Sequence, residues 1–183
     1  MAKLKILTLI FVIFSASAVA DDACRRLMPP SLVGATVKAF GDFHPPLATN
    51  NTAEDIKWLI NRGGSGCFGA ASADFDGDGR KDFILRLTAK DGDKGAVVVA
   101  FAKKQGWTFE KLADASGLNG LRLFVDVASP GTYELSRALG SPGPNDTTPL
   151  KCSNAAAMFG QIEAWDITYC YNEGKWQRVQ TSD

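Results

Sequence analysis

The sequence predicts an α+β fold, mainly an antiparallel β meander with one helix, in a single disulfide-stapled domain. Three observations predict it. Segments rich in β-branched and aromatic residues recur from Phe68 onward between Gly, Asn and Asp turns, a single window after Thr52 has helical period, and four cysteines fall beyond residue 20.

Residues 1–20 read as a signal peptide: Lys3 and Lys5, an apolar core from Ile6 to Phe14, then Ala18-Val19-Ala20 before Asp21. That core is too short to span a bilayer and no later segment approaches the required length. A periplasmic or secreted chain cut after Ala20 is therefore expected, with a retained anchor as the alternative. Without the two leader lysines, 18 basic residues face 20 acidic ones. A balance so near neutrality argues against nucleic acid or an anionic membrane as partner.

Cys24, Cys67, Cys152 and Cys170 allow three pairings, and an even number in an exported chain implies disulfides. Proximity in sequence favours Cys24 with Cys67 and Cys152 with Cys170. Zinc is not expected, since the spacings lack C-x-x-C and His44 is the one histidine.

Pro29-Pro30 and Pro45-Pro46 suggest an irregular stretch around one strand from Val33 to Phe40. Asn51 or Thr52 then caps a helix with Glu54 or Asp55 in its first turn, an apolar face of Ile56, Trp58, Leu59 and Ile60, and Gly63-Gly64 to end it. From Phe68 the expected strands are a short one into residue 74, then 83–89, 96–103 and 107–112, with turns at 91–93 and 105–106. Further strands are expected at 121–127 and 132–139, a long loop at 140–149, and a hairpin over 161–180 turning at Glu173-Gly174. The hairpin's first strand carries Trp165, Ile167, Tyr169 and Tyr171 on one face, which reads as core.

The stretch Asp74-Phe75-Asp76-Gly77-Asp78-Gly79-Arg80-Lys81-Asp82 carries the chemistry. Calcium takes six to eight oxygens, and D-x-D-x-D-G offers carboxylates at loop positions 1, 3 and 5 with a glycine at 6 for the sharp turn. Those are Asp74, Asp76, Asp78 and Gly79, and the main-chain carbonyl of Arg80 falls at position 7. Position 12 is Leu85 rather than glutamate, so an EF-hand is not expected, and Asp82 at position 9 is the acid available to close the sphere. All-oxygen ligands favour Ca2+, with magnesium as the lesser alternative, over zinc or copper. The bland alternative is a solvated Asp-Gly hairpin.

From Ala73 to Phe83 the sequence resembles the calcium loop of FG-GAP and VCBS-type repeats, which build integrin-α-like propellers. The resemblance implies calcium held by Asp74, Asp76, Asp78, the carbonyl of Arg80 and Asp82. It covers about one blade, residues 68 to 113, in a single copy. The closing run from Gly174 to Asp183 resembles the tails of small exported bacterial proteins, which implies a bacterial origin.

No catalytic constellation is legible. His44 has no nucleophile motif in reach, and Ser65 fails the G-x-S-x-G elbow because Cys67 stands where glycine belongs. Glu110, Glu134, Glu163 and Asp166 are the acids available to a hydrolase. The expectation is a noncatalytic calcium-binding module. An inhibitor or immunity-type protein with a protein partner is the first alternative, and an envelope hydrolase the second.

Overall fold

The computed structural model describes residues 22–92, 94–118 and 122–183. The expected signal peptide and its cut lie outside the described residues, as do Asp93 of one expected turn and Leu121 at the start of one expected strand.

Most of the described chain is antiparallel strand, arranged in two larger sheets and one small one. In the first sheet, β3 (Asp82–Ala89) pairs with β4 (Gly95–Lys103), and β4 with β5 (Gly106–Asp114). Two short strands, β1 (Phe43–His44) and β2 (Ala70–Ala73), share the other edge of β3. The second sheet has the order β11 (Lys175–Ser182), β10 (Trp165–Asn172), β9 (Ala156–Gln161), β6 (Leu123–Ala128). A small pair joins β7 (Gly131–Tyr133) to β8 (Leu150–Cys152).

The first sheet is covered on both faces, which explains the unbroken apolar runs of β3 and β4. Leu85, Leu87, Val98 and Ala100 form one core with Cys24, Met28 and Leu32. Ile84, Val97, Val99 and Phe101 form another with Val125, Phe159 and Tyr169 of the second sheet. A strand buried on both sides reads as continuous hydrophobic sequence rather than alternation. Of the hairpin aromatics, Tyr169 belongs to this second core, and Trp165, Ile167 and Tyr171 pack against it.

Both expected disulfides are present. Cys24–Cys67 ties the first helix to the approach of β2, and Cys152–Cys170 ties β8 to β10. Among the described residues no helix is long and apolar enough to cross a membrane.

Several expectations fail here. Three helices stand among the described residues rather than one: α1 (Ala23–Leu27), α2 (Pro30–Ala39) and α3 (Ala53–Asn61). The strand expected from Val33 to Phe40 is helix α2. Its β-branched residues suggested a strand, but Pro30 at the first helical position presets φ, and burial of Leu32 and Thr36, one turn apart, selects the helix. On α3 the expected apolar face is only partly used, since Trp58 is 37% and Ile60 53% exposed while Asp55 is the buried residue.

The strand expected at 132–139 stops at Tyr133, because its partner β8 is three residues long, and the Ser136 amide donates instead to Gln180. Strand β9 was not foreseen. Its Ala, Met and Gly residues have weak β-propensity, yet it bonds β6 on one side and β10 on the other.

Candidate metal centre

The β2–β3 connection folds around the carboxylate of Asp74. One of its oxygens accepts from the amides of Gly77 at 2.8 Å and Asp78 at 3.1 Å, and the other from Gly79 at 2.8 Å. Such a wrap needs backbone at positive φ, and Gly77 (75°) and Gly79 (82°) supply it without a Cβ penalty. Asp78 in turn accepts from the amide of Arg80 at 2.9 Å.

This folding brings Asp74, Asp76 and Asp78 together, with one oxygen of each lying within 4.8 Å of the others. The Asp74 oxygen that takes two amides is filled, but its other oxygen takes one and keeps a lone pair, so the hydrogen bonds orient the carboxylate without exhausting it. Three hard, anionic oxygens at that spacing could hold a hard metal cation.

Asp82 is placed differently. It opens β3, is fully enclosed, and lies outside the trio. Its oxygens accept from Phe75 at 3.1 Å and from Ala102 on β4 at 2.8 Å, so it ties both ends of the loop to the sheet. Burial raises its pKa, against the pull of those two amides.

Two cations attend the trio. The guanidinium of Arg80 lies 2.6 Å from Asp78, and Lys103 Nζ lies 2.7 Å from Asp76 and 4.0 Å from Asp78. The hydrogen bond to Asp76 raises the pKa of Lys103.

Lys103 and Asn154 are the site residues that sequence reasoning missed. Lys103 was findable once the register was known: Phe83 opposes Ala100, so β4 runs three residues further along the acidic loop. Asn154 belongs to the β8–β9 connection and left no signal. Its amide donates to the Phe75 carbonyl at 3.4 Å, and a Cβ on Gly77 would come within 2.9 Å of it. Phe75 itself is fully buried beside Trp176, with ring centroids 6.1 Å apart, so it pins the loop into the inter-sheet core. Beside Asp76 an open groove of about 800 Å³ runs past Ser153 and Asn154 to the tip of the β10–β11 hairpin.

The other candidates are engaged elsewhere. The Ser65 hydroxyl accepts from the Cys67 amide at 3.2 Å, Glu163 pairs with Arg122 at 3.0 Å, and Asp166 accepts from the hydroxyls of Thr181 and Ser182. His44 is exposed on the edge strand β1.

The fold and site define a class, a disulfide-bonded β protein with an acidic loop between two strands. Comparison with protein-family models, with characterised proteins and with solved structures finds no match.

Proposed function

We propose that this chain is an exported, noncatalytic calcium-binding domain, in which Ca2+ orders the 74–82 loop and steadies the sheets that meet there. The observation that carries the reading is the convergence of Asp74, Asp76 and Asp78 within 4.8 Å, on a loop whose glycines let three amides hold Asp74 in place. The carbonyl of Arg80 completes the set from the main chain. Asp82 acts from the base of the loop, where each of its oxygens retains a lone pair after accepting one amide.

Lys103 and Arg80 partly neutralise the trio, so calcium has to displace the lysine from Asp76. Modest affinity follows, near the ~10⁻⁴ to 10⁻³ M of extracellular modules. Thermal melting in calcium and in chelator tests the reading. The midpoint rises with calcium in the parent chain and stays put in Asp76→Ala; an equal response in both would refute it.

A second reading is an interaction protein with a protein partner. Exposed Trp58 and Ile60 on α3 favour it, as does the cavity of about 690 Å³ that Trp58 borders with Leu27 and Phe124. Trp58→Glu then leaves the melting temperature unchanged and abolishes a stoichiometric complex in envelope extract. A complex that survives the substitution counts against this face.

A further inference from the structure

The even-numbered residues of β3 share one face, turned toward the second sheet: Asp82, then Ile84 in the inter-sheet core, then Arg86 and Thr88. Arginine is an unusual choice for such a row. Arg86 is 8% exposed, and no carboxylate among the described residues pairs with it. Nη2 donates to the side-chain oxygen of Asn51 at 2.8 Å and to the Asn50 carbonyl at 3.5 Å, both neutral acceptors. Nε is sealed from solvent and has no acceptor among the described residues.

Burial draws the pKa of Arg86 down to about 10, which still leaves it charged at neutral pH. A buried charge without a counter-ion is costly, and removing its partner from a buried pair is among the larger penalties known. Asn51 holds the guanidinium in position without neutralising it, since its own amide is anchored to the Leu123 carbonyl at 3.0 Å.

Arg86 lines a cavity of about 390 Å³ together with Thr49, Thr52, Asp55, Thr88 and Arg122. The second arginine is already matched. Its Nε donates to Asp55 at 2.7 Å and its Nη1 to Glu163 at 3.0 Å, and the Thr52 hydroxyl is committed to Asp55 at 2.9 Å. Among the described residues that line the cavity, two arginines face one carboxylate, Asp55; Glu163 is exposed and lies outside the lining, so the arginine left without a carboxylate there is Arg86.

We infer that the cavity binds a small molecule bearing a single carboxylate, for which Arg86 is the counter-ion and Thr49 and Thr88 supply hydroxyl donors. With Nε sealed and Nη2 bonded to neutral acceptors, a carboxylate in the cavity supplies the counter-charge through a charge-assisted contact with the guanidinium. A phosphate would bring about two negative charges at neutral pH against one in excess, and so fits less well. This site lies at the opposite end of β3 from the acidic loop and does not depend on calcium.

The test is amide chemical-shift titration of the disulfide-bonded protein with sodium acetate, sodium benzoate and inorganic phosphate, at ionic strength fixed with sodium chloride. Acetate and benzoate give saturable shifts at Asn51, Thr52, Arg86 and Thr88, and Arg86→Gln weakens them by about tenfold or more, as expected for loss of a charge-assisted hydrogen bond. Thr88→Glu is the second variant, because it places a carboxylate two residues along the same face and supplies the counter-ion internally. That variant melts higher than the parent and no longer responds to acetate. Absence of a saturable shift with either carboxylate, shifts that persist in Thr88→Glu, or preference for phosphate would each overturn the assignment.

Discussion

Asp82 and Arg86 stand four residues apart in one row of β3, both charged and both enclosed, and the fold treats them in opposite ways. Asp82 has an amide on each oxygen, so its polar demand is met from within the backbone. Arg86 has one well-made bond from a single nitrogen, a neutral acceptor, and an orphaned Nε beside a cavity. The difference separates a charge used for construction from a charge held ready for something outside the chain. Asp82 belongs to the skeleton of the acidic loop, whereas Arg86 belongs to a site.

The largest effect expected is at Asp82. Asn is nearly isosteric but has one acceptor oxygen, so it leaves the amide of Phe75 or Ala102 facing an NH2 group. Asp82→Asn is expected to destabilise by about 2 kcal/mol, within the range for a buried donor left unmet. Chemical denaturation measures it. Arg86→Met is the contrasting change: it removes a desolvated charge as well as one hydrogen bond, and replacing buried ionic groups by apolar ones is often neutral or stabilising. A loss in Arg86→Met as large as that in Asp82→Asn would erase the distinction.

The next effect is that of the ion. At calcium ten times the dissociation constant, linkage stabilises the native state by about 1.4 kcal/mol. Asp76→Ala abolishes that increment, and a melt with and without chelator reads it.

Asp55 and Asp82 sharpen the comparison through pH. The hydrogen bond from Arg122 holds the pKa of Asp55 below its ordinary 3.8. Its contribution is therefore complete above that value and is lost as pH falls through the lower, folded pKa. Asp82 has the opposite sign: burial raises its folded pKa, so the stability it contributes is present at low pH and is lost as pH rises through that value. Arg122→Gln flattens the loss of stability below pH ~4 measured by urea denaturation. An unchanged acid limb would show that the Asp55–Arg122 pair carries none of it.

The smallest effect is at Lys103, whose half-exposed ion pair with Asp76 competes with calcium. Exposed pairs are worth ~0.2–1 kcal/mol, so Lys103→Met should tighten calcium by no more than about fivefold. Calorimetric titration of the variant checks it.

The two ends of β3 also differ in how legible they were. The acidic loop could be read directly because its carboxylates are contiguous: alternate aspartates and two glycines specify the turn within nine residues. The β3–β4–β5 meander and the terminal hairpin were equally local, with turns at Gly92, Gly106 and Gly174. The Arg86 cavity draws on residues 49–52, Asp55, Arg86, Thr88, Gly92, Leu118 and Arg122, far apart in sequence, which only the tertiary fold brings together. Helix α2 was misread because β-branched Val33, Thr36 and Val37 outweighed the Pro30 start signal. β9 escaped because its alanines and glycine are selected by close packing rather than by strand propensity. At Gly160 a Cβ would run into the carbonyl of Trp165.

Calorimetric titration of calcium into the chelator-stripped, disulfide-bonded protein, side by side with Asp78→Ala, addresses the central claim most directly. The account predicts one ion per chain in the parent, with affinity in the ~10⁻⁴ to 10⁻³ M range, and no measurable heat in the variant. Absence of binding in the parent, or equal binding in both, would contradict it.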